Sequence, residues 1–322
     1  PLNNQTHKTK TAPGDLDYPI YNSNSSTQGT QMNPQQRLPR IFWPRRTPRF
    51  PRSLLVKFEE PLLVLSWFNN QDQTQRTMLD VGAHYGGTSK PFAFESWDVH
   101  VFEPDPENRK RLNKSLADYH NVTIDPRAVC EVDGEEVQLF SSEESSGIST
   151  LAKFVESHKP TSIVKTVRLD TYVSENNIGF VDFLKIDTEG FDLMVLKGFP
   201  WTSTSPEVIL CEFEDRKTKN LGYGTIEMID FLQRRGYTIL ISEWHPIIRY
   251  GITHSFSRLY LFRGKAPDSD SWGNLIAVRN KKAAQWFVEN SPQFITRRNT
   301  EKTSSLATNR FENWKSRRSS TS

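Results

Sequence analysis

Thr77-Met78-Leu79-Asp80-Val81-Gly82-Ala83-His84-Tyr85-Gly86-Gly87-Thr88-Ser89 is the stretch on which the reading of the whole chain turns. Met78, Leu79 and Val81 are apolar and suit a short buried strand. The glycines that follow take backbone angles that other residues resist, and they let a ligand come close to the main chain. Thr88 and Ser89 are natural N-cap residues for a following helix. A strand, a glycine loop and a helix in that order form the place where an α/β domain docks a nucleotide-like cofactor. About twenty positions on, Val101-Phe102-Glu103-Pro104 supplies an acid at the spacing that suits a ribose, whose two hydroxyls a carboxylate accepts.

The glycine spacing is Gly82-x-x-x-Gly86-Gly87, not G-x-G-x-x-G, and no Lys-Ser/Thr pair follows to make a phosphate-cradling loop. Dinucleotides and nucleoside triphosphates are therefore disfavoured. A nucleoside without a phosphate chain needs close backbone approach and no anion cradle, and S-adenosylmethionine is the common cofactor of that kind.

Outward from this stretch, strand and helix patterns alternate. Strands are expected at 77–81, 98–103, 121–125, 181–187, 206–213, 236–243 and 256–262, and helices at about 88–95, 105–119, 190–197 and 225–235. Leu54 to Phe68 reads as a helix broken at Pro61. Such alternation predicts an α/β fold with a mostly parallel sheet covered on both faces. No helix pattern separates the last two strands, so the final one is expected to be antiparallel. The result is a Rossmann-like, seven-stranded sheet with an antiparallel last strand, the class I methyltransferase architecture. Between the third and fourth strands lies an insertion in which Glu136–Phe140 and Ile163–Leu169 alternate as β structure, with the polar loop Ser141–Ser149 between them.

Composition sets the bounds. The chain has 322 residues, is 35% hydrophobic and carries a formal charge of +3. Residues 1–52 hold eight Lys/Arg against two Asp/Glu, and residues 264–322 hold eleven against five. Of the totals, 41 and 38, that leaves 22 and 31 for residues 53–263, an acidic middle of −9 between two basic ends. An acidic middle argues against nucleic acid as its partner. The expected organisation is a disordered or linker segment over 1–52, a methyltransferase domain over 53–290 and a disordered basic tail over 291–322. Cys130 and Cys211 are too few for a disulfide framework, and Cys211, in Val208-Ile209-Leu210-Cys211, reads as a buried thiol. No apolar run is long enough for a transmembrane helix, and the expected location is cytoplasmic. The chain begins at Pro1 rather than Met, which leaves an upstream targeting segment open.

A second informative stretch is Val181-Asp182-Phe183-Leu184-Lys185-Ile186-Asp187-Thr188-Glu189-Gly190-Phe191-Asp192. Asp187 falls at the carboxyl end of a strand, where open α/β sheets bind their ligands. Asp187 and Glu189 can orient a cofactor, take a proton from an attacking hydroxyl or bind a metal. No further Asp/Asn ligand set accompanies them, so no metal is assigned. Glu212, in Val208-Ile209-Leu210-Cys211-Glu212-Phe213, ends the next strand on the same rim and is a candidate for substrate binding. His245, in Glu243-Trp244-His245-Pro246, lies on a rim loop and is a further candidate base.

These stretches, in this order, resemble the FkbM family of S-adenosylmethionine-dependent methyltransferases over about residues 76–263, and Lys185-Ile186-Asp187-Thr188-Glu189-Gly190 is the most specific part of the likeness. The resemblance implies O-methylation of hydroxyls on sugars, glycans or secondary metabolites. It implies that Asp80, Gly82 and Gly86 line the methionine end of the cofactor, that Glu103 holds the ribose, and that Arg127 and Ala128 sit by the adenine. His84 stands where the family usually has asparagine; it keeps hydrogen-bonding capacity and gives affinity a route to pH dependence. The expected partner is a small-molecule or glycan acceptor. Two other readings stay open at this level: an NAD-dependent oxidoreductase of similar fold, and a non-catalytic module that recruits a partner through basic tails such as Arg45-Arg46 and Arg317-Arg318.

Overall fold

The computed structural model describes residues 48–73, 75–142, 149–150, 158–248 and 254–297, with backbone alone at 141–142, 149–150 and 158–159. Most of the expected N-terminal linker, the interior of the serine-rich loop and the tail beyond 297, with both arginine pairs, lie outside the described residues.

The chain enters with β1 (Val56–Phe58) and α1 (Glu60–Asn69). Leu54–Phe68 is thus a strand and a helix rather than one broken helix. Pro61 lies in the first turn of α1, where a missing N–H costs no hydrogen bond, so it starts the helix instead of interrupting it. The expected alternation follows: β2 (Thr77–Val81), α2 (Ser89–Phe94), β3 (Asp98–Phe102), α3 (Pro106–Leu116) and β4 (Val122–Asp125). The insertion forms its own sheet from β5 (Ala128–Val129), β6 (Glu136–Ser142), β7 (Ser149–Thr150) and β8 (His158–Val167), in the order β5-β8-β6-β7. β6 and β8 pair antiparallel, as their alternation predicts. Leu169, expected in a strand, instead opens α4 (Leu169–Glu175).

The second half contains β9 (Phe183–Ile186), α5 (Asp192–Lys197), β10 (Val208–Phe213), the short α6 (Asp215–Thr218), α7 (Thr225–Gln233), β11 (Thr238–Trp244), β12 (Phe256–Leu261), β13 (Trp272–Val278), α8 (Lys281–Asn290) and β14 (Ile295–Arg297). β14 pairs with β1, so paired structure reaches Arg297, past the expected boundary at 290.

The main sheet is α/β and mixed, with eight strands in the order β12-β11-β13-β10-β9-β2-β3-β4. β4, β3, β2, β9 and β10 are mutually parallel, and β13 runs antiparallel to both its neighbours, β10 and β11. The count of seven is corrected to eight. The strand at 256–262 is antiparallel, as expected, but it lies on the edge beside β11. The antiparallel strand inside the sheet is β13, in a stretch of the expected domain to which no strand was assigned. Its apolar run Leu275-Ile276-Ala277-Val278 is short, and the charges of 264–322 masked it.

The pleat of each strand divides the core into two layers. Met78, Phe183, Leu210 and Ile276 face one side and pack with α1, α2 and α8. Their neighbours Leu79, Leu184, Cys211 and Leu275 face the other and pack with α4, α5 and α7. Cys211 is the buried thiol expected. From β2 the chain builds outward through β3 and β4, then returns to lay β9 on the other side of β2. The carboxyl ends of β2 and β9 therefore flank the crevice at which such sheets bind ligands. Among the described residues, no helix is long and apolar enough to cross a membrane.

Candidate active site

The turn after β2 and the turn after β9 are joined main chain to main chain. Asp187 N–H donates to the Val81 carbonyl at 2.9 Å. Gly82 has φ +79°, and a Cβ there would fall 1.9 Å from the Asp187 carbonyl oxygen, so only glycine fits. The sequence reading gave that glycine to the ligand; the protein's own backbone claims it first. Gly86 N–H closes the turn on the Ala83 carbonyl at 2.8 Å. His84 stands in the left-handed region, φ 51°, which asparagine and histidine enter more readily than most residues. Its ring stacks on Tyr85.

Asp80 is fully buried. It accepts the Ser89 hydroxyl proton and pairs with Lys185 Nζ at 3.0 Å. Lys185 Nζ also donates to the Gly82 carbonyl at 2.5 Å and lies 3.7 Å from Asp187 Oδ2. Burial alone would lower its pKa; Asp80 and Asp187 outweigh that, and its pKa is raised. Beside them, Glu103 is 4% exposed. It accepts the His84 N–H at 2.8 Å on one oxygen and the Asp105 N–H at 2.9 Å on the other. Burial pushes it up to about 7 in spite of those two donors. Each carboxylate oxygen has a second acceptor site, so both main-chain bonds leave capacity for a ligand.

Next along the rim is an acidic hub. Lys217, 3% exposed, holds Glu189 at 2.5 Å, Glu212 at 2.8 Å and Glu214 at 3.0 Å on one ammonium. Burial raises the pKa of Glu189 and Glu212, with Lys217 pulling the other way. Oxygens of Asp187, Glu189 and Glu212 lie within 4.8 Å of one another. Asp192 ties the hub to the turn: it accepts Thr188 Oγ1–H at 2.9 Å and the Glu212 N–H at 3.1 Å, and burial followed by the Asp187 charge lifts it to about 6.

The structure thus brings Asp80, Gly82, His84, Gly86, Glu103, Asp187, Glu189 and Glu212 to one rim. Three candidates stand differently. Arg127 is engaged by Asp125 at 2.8 Å and Glu175 at 2.9 Å. It still flanks the rim, because the Asp125 carbonyl receives the Glu103 N–H at 3.2 Å. Ala128 is buried in β5 opposite Thr166. His245 Nε2 lies 2.9 Å from the Phe50 carbonyl, so that nitrogen carries a proton and donates it. The Trp272 indole donates to the His245 carbonyl at 3.0 Å. His245 thus braces the segment entering β1. Sequence reasoning gave no role to Lys185, Asp192, Glu214 or Lys217. For Lys185 the signal was present, since a lysine between Leu184 and Ile186 in a buried strand requires anionic partners.

A doubly wound sheet whose switch point carries a glycine turn, an acid after β3 and an acidic rim after β9 and β10 belongs to the methyltransferase class. The family model described as the methyltransferase FkbM domain matches residues 80–239. The match runs from the end of β2 to the start of β11 and takes in both turns of the rim. No curated protein matches the sequence. Similar solved structures include a precorrin-6y C5,15-methyltransferase from Geobacter metallireducens (13% identity, 68% of this chain and 86% of that one, TM-score 0.34). An rRNA methylase from Streptococcus thermophilus matches at 10% identity over 64% of this chain and 99% of that one, TM-score 0.36. At these scores the likeness carries no weight for substrate or mechanism.

Proposed function

We propose that the protein transfers a methyl group from S-adenosylmethionine to a hydroxyl of a sugar, glycan or secondary metabolite. The observation that carries the cofactor is the clamp of Glu103 to the glycine turn through His84 N–H, which sets an acceptor for ribose hydroxyls beside the mouth between β2 and β9. The charge of the rim supports it. Six carboxyl groups, those of Asp80, Glu103, Asp187, Glu189, Glu212 and Glu214, face two ammonium groups, Lys185 and Lys217, both already in ion pairs. That set suits a cationic sulfonium and offers nothing to a pyrophosphate, which disfavours a nicotinamide dinucleotide.

When bound, the cofactor supplies a methyl group already activated on sulfur, so the protein's work is alignment and proton removal. Asp187 follows the last residue of β9, is 44% exposed at its side chain and has Lys185 Nζ 3.7 Å from its Oδ2. Asp187 is assigned as the group that accepts the acceptor hydroxyl's proton. Glu189 and Glu212 border the acceptor's side of the mouth, and Asp80 and Lys185 hold the turn in shape. Of the candidate bases, Asp187 is preferred to His245, whose Nε2–H bond to the Phe50 carbonyl holds the ring against the segment entering β1.

Calorimetry with S-adenosylmethionine and S-adenosylhomocysteine tests the cofactor. Binding tighter than about 1 mM is expected, and Glu103→Ala should weaken it by about 1–3 kcal/mol, the cost of leaving buried hydroxyls unpaired. No binding of either compound would end this reading. Mass-shift screening of hydroxyl acceptors then tests O-methylation.

A further inference from the structure

The trio Asp187, Glu189 and Glu212 has the spacing of a divalent-cation site, yet an ammonium is already seated among its carboxylates. We propose that Lys217 is a positioning residue that takes the place of a metal ion at this rim, offsetting part of the charge of Glu189 and Glu212 and holding their carboxylates in place, so that the site works without a divalent cation. The inference deepens the methyl-transfer reading and rests on it for the acceptor's position.

The geometry is specific. Lys217 Nζ lies 2.5 Å from Glu189 Oε2, 2.8 Å from Glu212 Oε2 and 3.0 Å from Glu214 Oε2. A divalent ion binds carboxylate oxygens at about 2.0–2.6 Å. An ion ligated by those same oxygens of Glu189 and Glu212 would stand against the ammonium, and two cations that close in a buried site repel strongly. The surrounding chain is built for the lysine. Gly190, φ +106°, packs against it: a Cβ there would come 3.2 Å from Lys217 Cβ and 3.8 Å from its carbonyl carbon. The last glycine of Lys185-Ile186-Asp187-Thr188-Glu189-Gly190 therefore makes room for the lysine stem of α6. Tyr223 fixes the same turn, donating its hydroxyl proton to the Gly190 carbonyl at 2.6 Å. Glu189 itself is held at φ 55°, a left-handed conformation that L residues avoid, with its carboxylate on the ammonium. Glu214, 3% exposed, is the third carboxylate on the ammonium.

Mn2+ titration followed by electron paramagnetic resonance tests this on the full chain, without cofactor or acceptor. Wild type should leave the Mn2+ signal undiminished. Lys217→Ala, with its fold checked by circular dichroism, should bind Mn2+ at least about tenfold more tightly than wild type, and propylammonium, which restores the missing charge and stem, should displace it. Lys217→Met, which removes the charge and keeps the bulk, should also gain Mn2+ affinity and serves if the alanine variant does not fold. Uptake of Mn2+ by wild type that Glu212→Gln abolishes would overturn the proposal, making the trio a metal centre. A folded Lys217→Ala that takes up no Mn2+ would overturn it equally. None of these measurements involves S-adenosylmethionine, so failure here and failure of the cofactor reading are separate results.

Discussion

Two buried lysines organise the two halves of the rim, and they do so in different ways. Lys185 is a connector. It links a fully buried carboxylate, Asp80, to a main-chain carbonyl, Gly82, and reaches one half-exposed acid, Asp187. Asp80, the nearer carboxylate, balances its charge, and a main-chain carbonyl fixes one of its directions. Lys217 is a hub. It gathers three carboxylates and leaves them with more negative charge than it cancels. Burial resolves that surplus by driving Glu189 and Glu212 toward their protonated forms. A balanced connector gives a rigid floor for a bound nucleoside, whereas an over-subscribed hub gives a wall able to exchange protons.

The largest effect should come from breaking the connector. Lys185→Met leaves Asp80 with the Ser89 hydroxyl as its remaining side-chain partner in a fully buried place. Removing one partner of a buried pair costs about 3–5 kcal/mol. Urea denaturation at neutral pH should register that loss. Lys217→Met should cost less under the same conditions, because Glu189 and Glu212 can take up protons in answer. Equal losses would erase the distinction between the two lysines.

A smaller effect separates Glu103 from both. Its folded-state pKa, about 7, lies above the ordinary 4.5 because of burial. The folded state therefore binds its proton more tightly than the unfolded chain does. The stabilisation from this group is fully present below pH 4.5 and is lost as pH rises through 7, by on the order of 3 kcal/mol. Glu103→Gln, neutral throughout, should flatten that part of the stability profile. A variant that keeps the wild-type slope would show that the slope has another source.

How much of this was legible follows from which forces act locally. β2, β3, β9 and β10 were visible because each is an apolar run with a turn signal at its end, and Asp187 could be placed because topology fixes what lies at the carboxyl end of a parallel strand. Glu103 was reachable through its spacing from the glycine turn. β13 was hidden because a short buried strand among charges has no periodicity to show, and its place inside the sheet is a matter of long-range pairing. Lys217 was hidden for a different reason. In Glu214-Asp215-Arg216-Lys217-Thr218 it reads as one of several surface charges, and only the fold turns it inward beneath Gly190. Pro61 misled because proline's effect depends on whether it sits in the first turn or later, which a periodic pattern does not resolve.

The smallest expected effect concerns His245, and it tests whether the rim ends where the two lysines end. A histidine after a sheet strand is a natural base in sequence terms, but here its Nε2–H ties the ring to the Phe50 carbonyl, in the segment entering β1. Phe50 is buried against Phe256, and its own N–H donates to the Ser257 carbonyl at 2.8 Å. His245 thus fastens the incoming segment to the edge strand β12. His245→Ala removes one part-buried hydrogen bond and should lower stability by about 1 kcal/mol. Affinity for S-adenosylmethionine should stay at the wild-type value, and methyl transfer, once an acceptor is found, should keep its pH profile. Loss of turnover by orders of magnitude in a variant of near-normal stability would return the base to His245 and move the acceptor's place from the mouth between β2 and β9 toward β11.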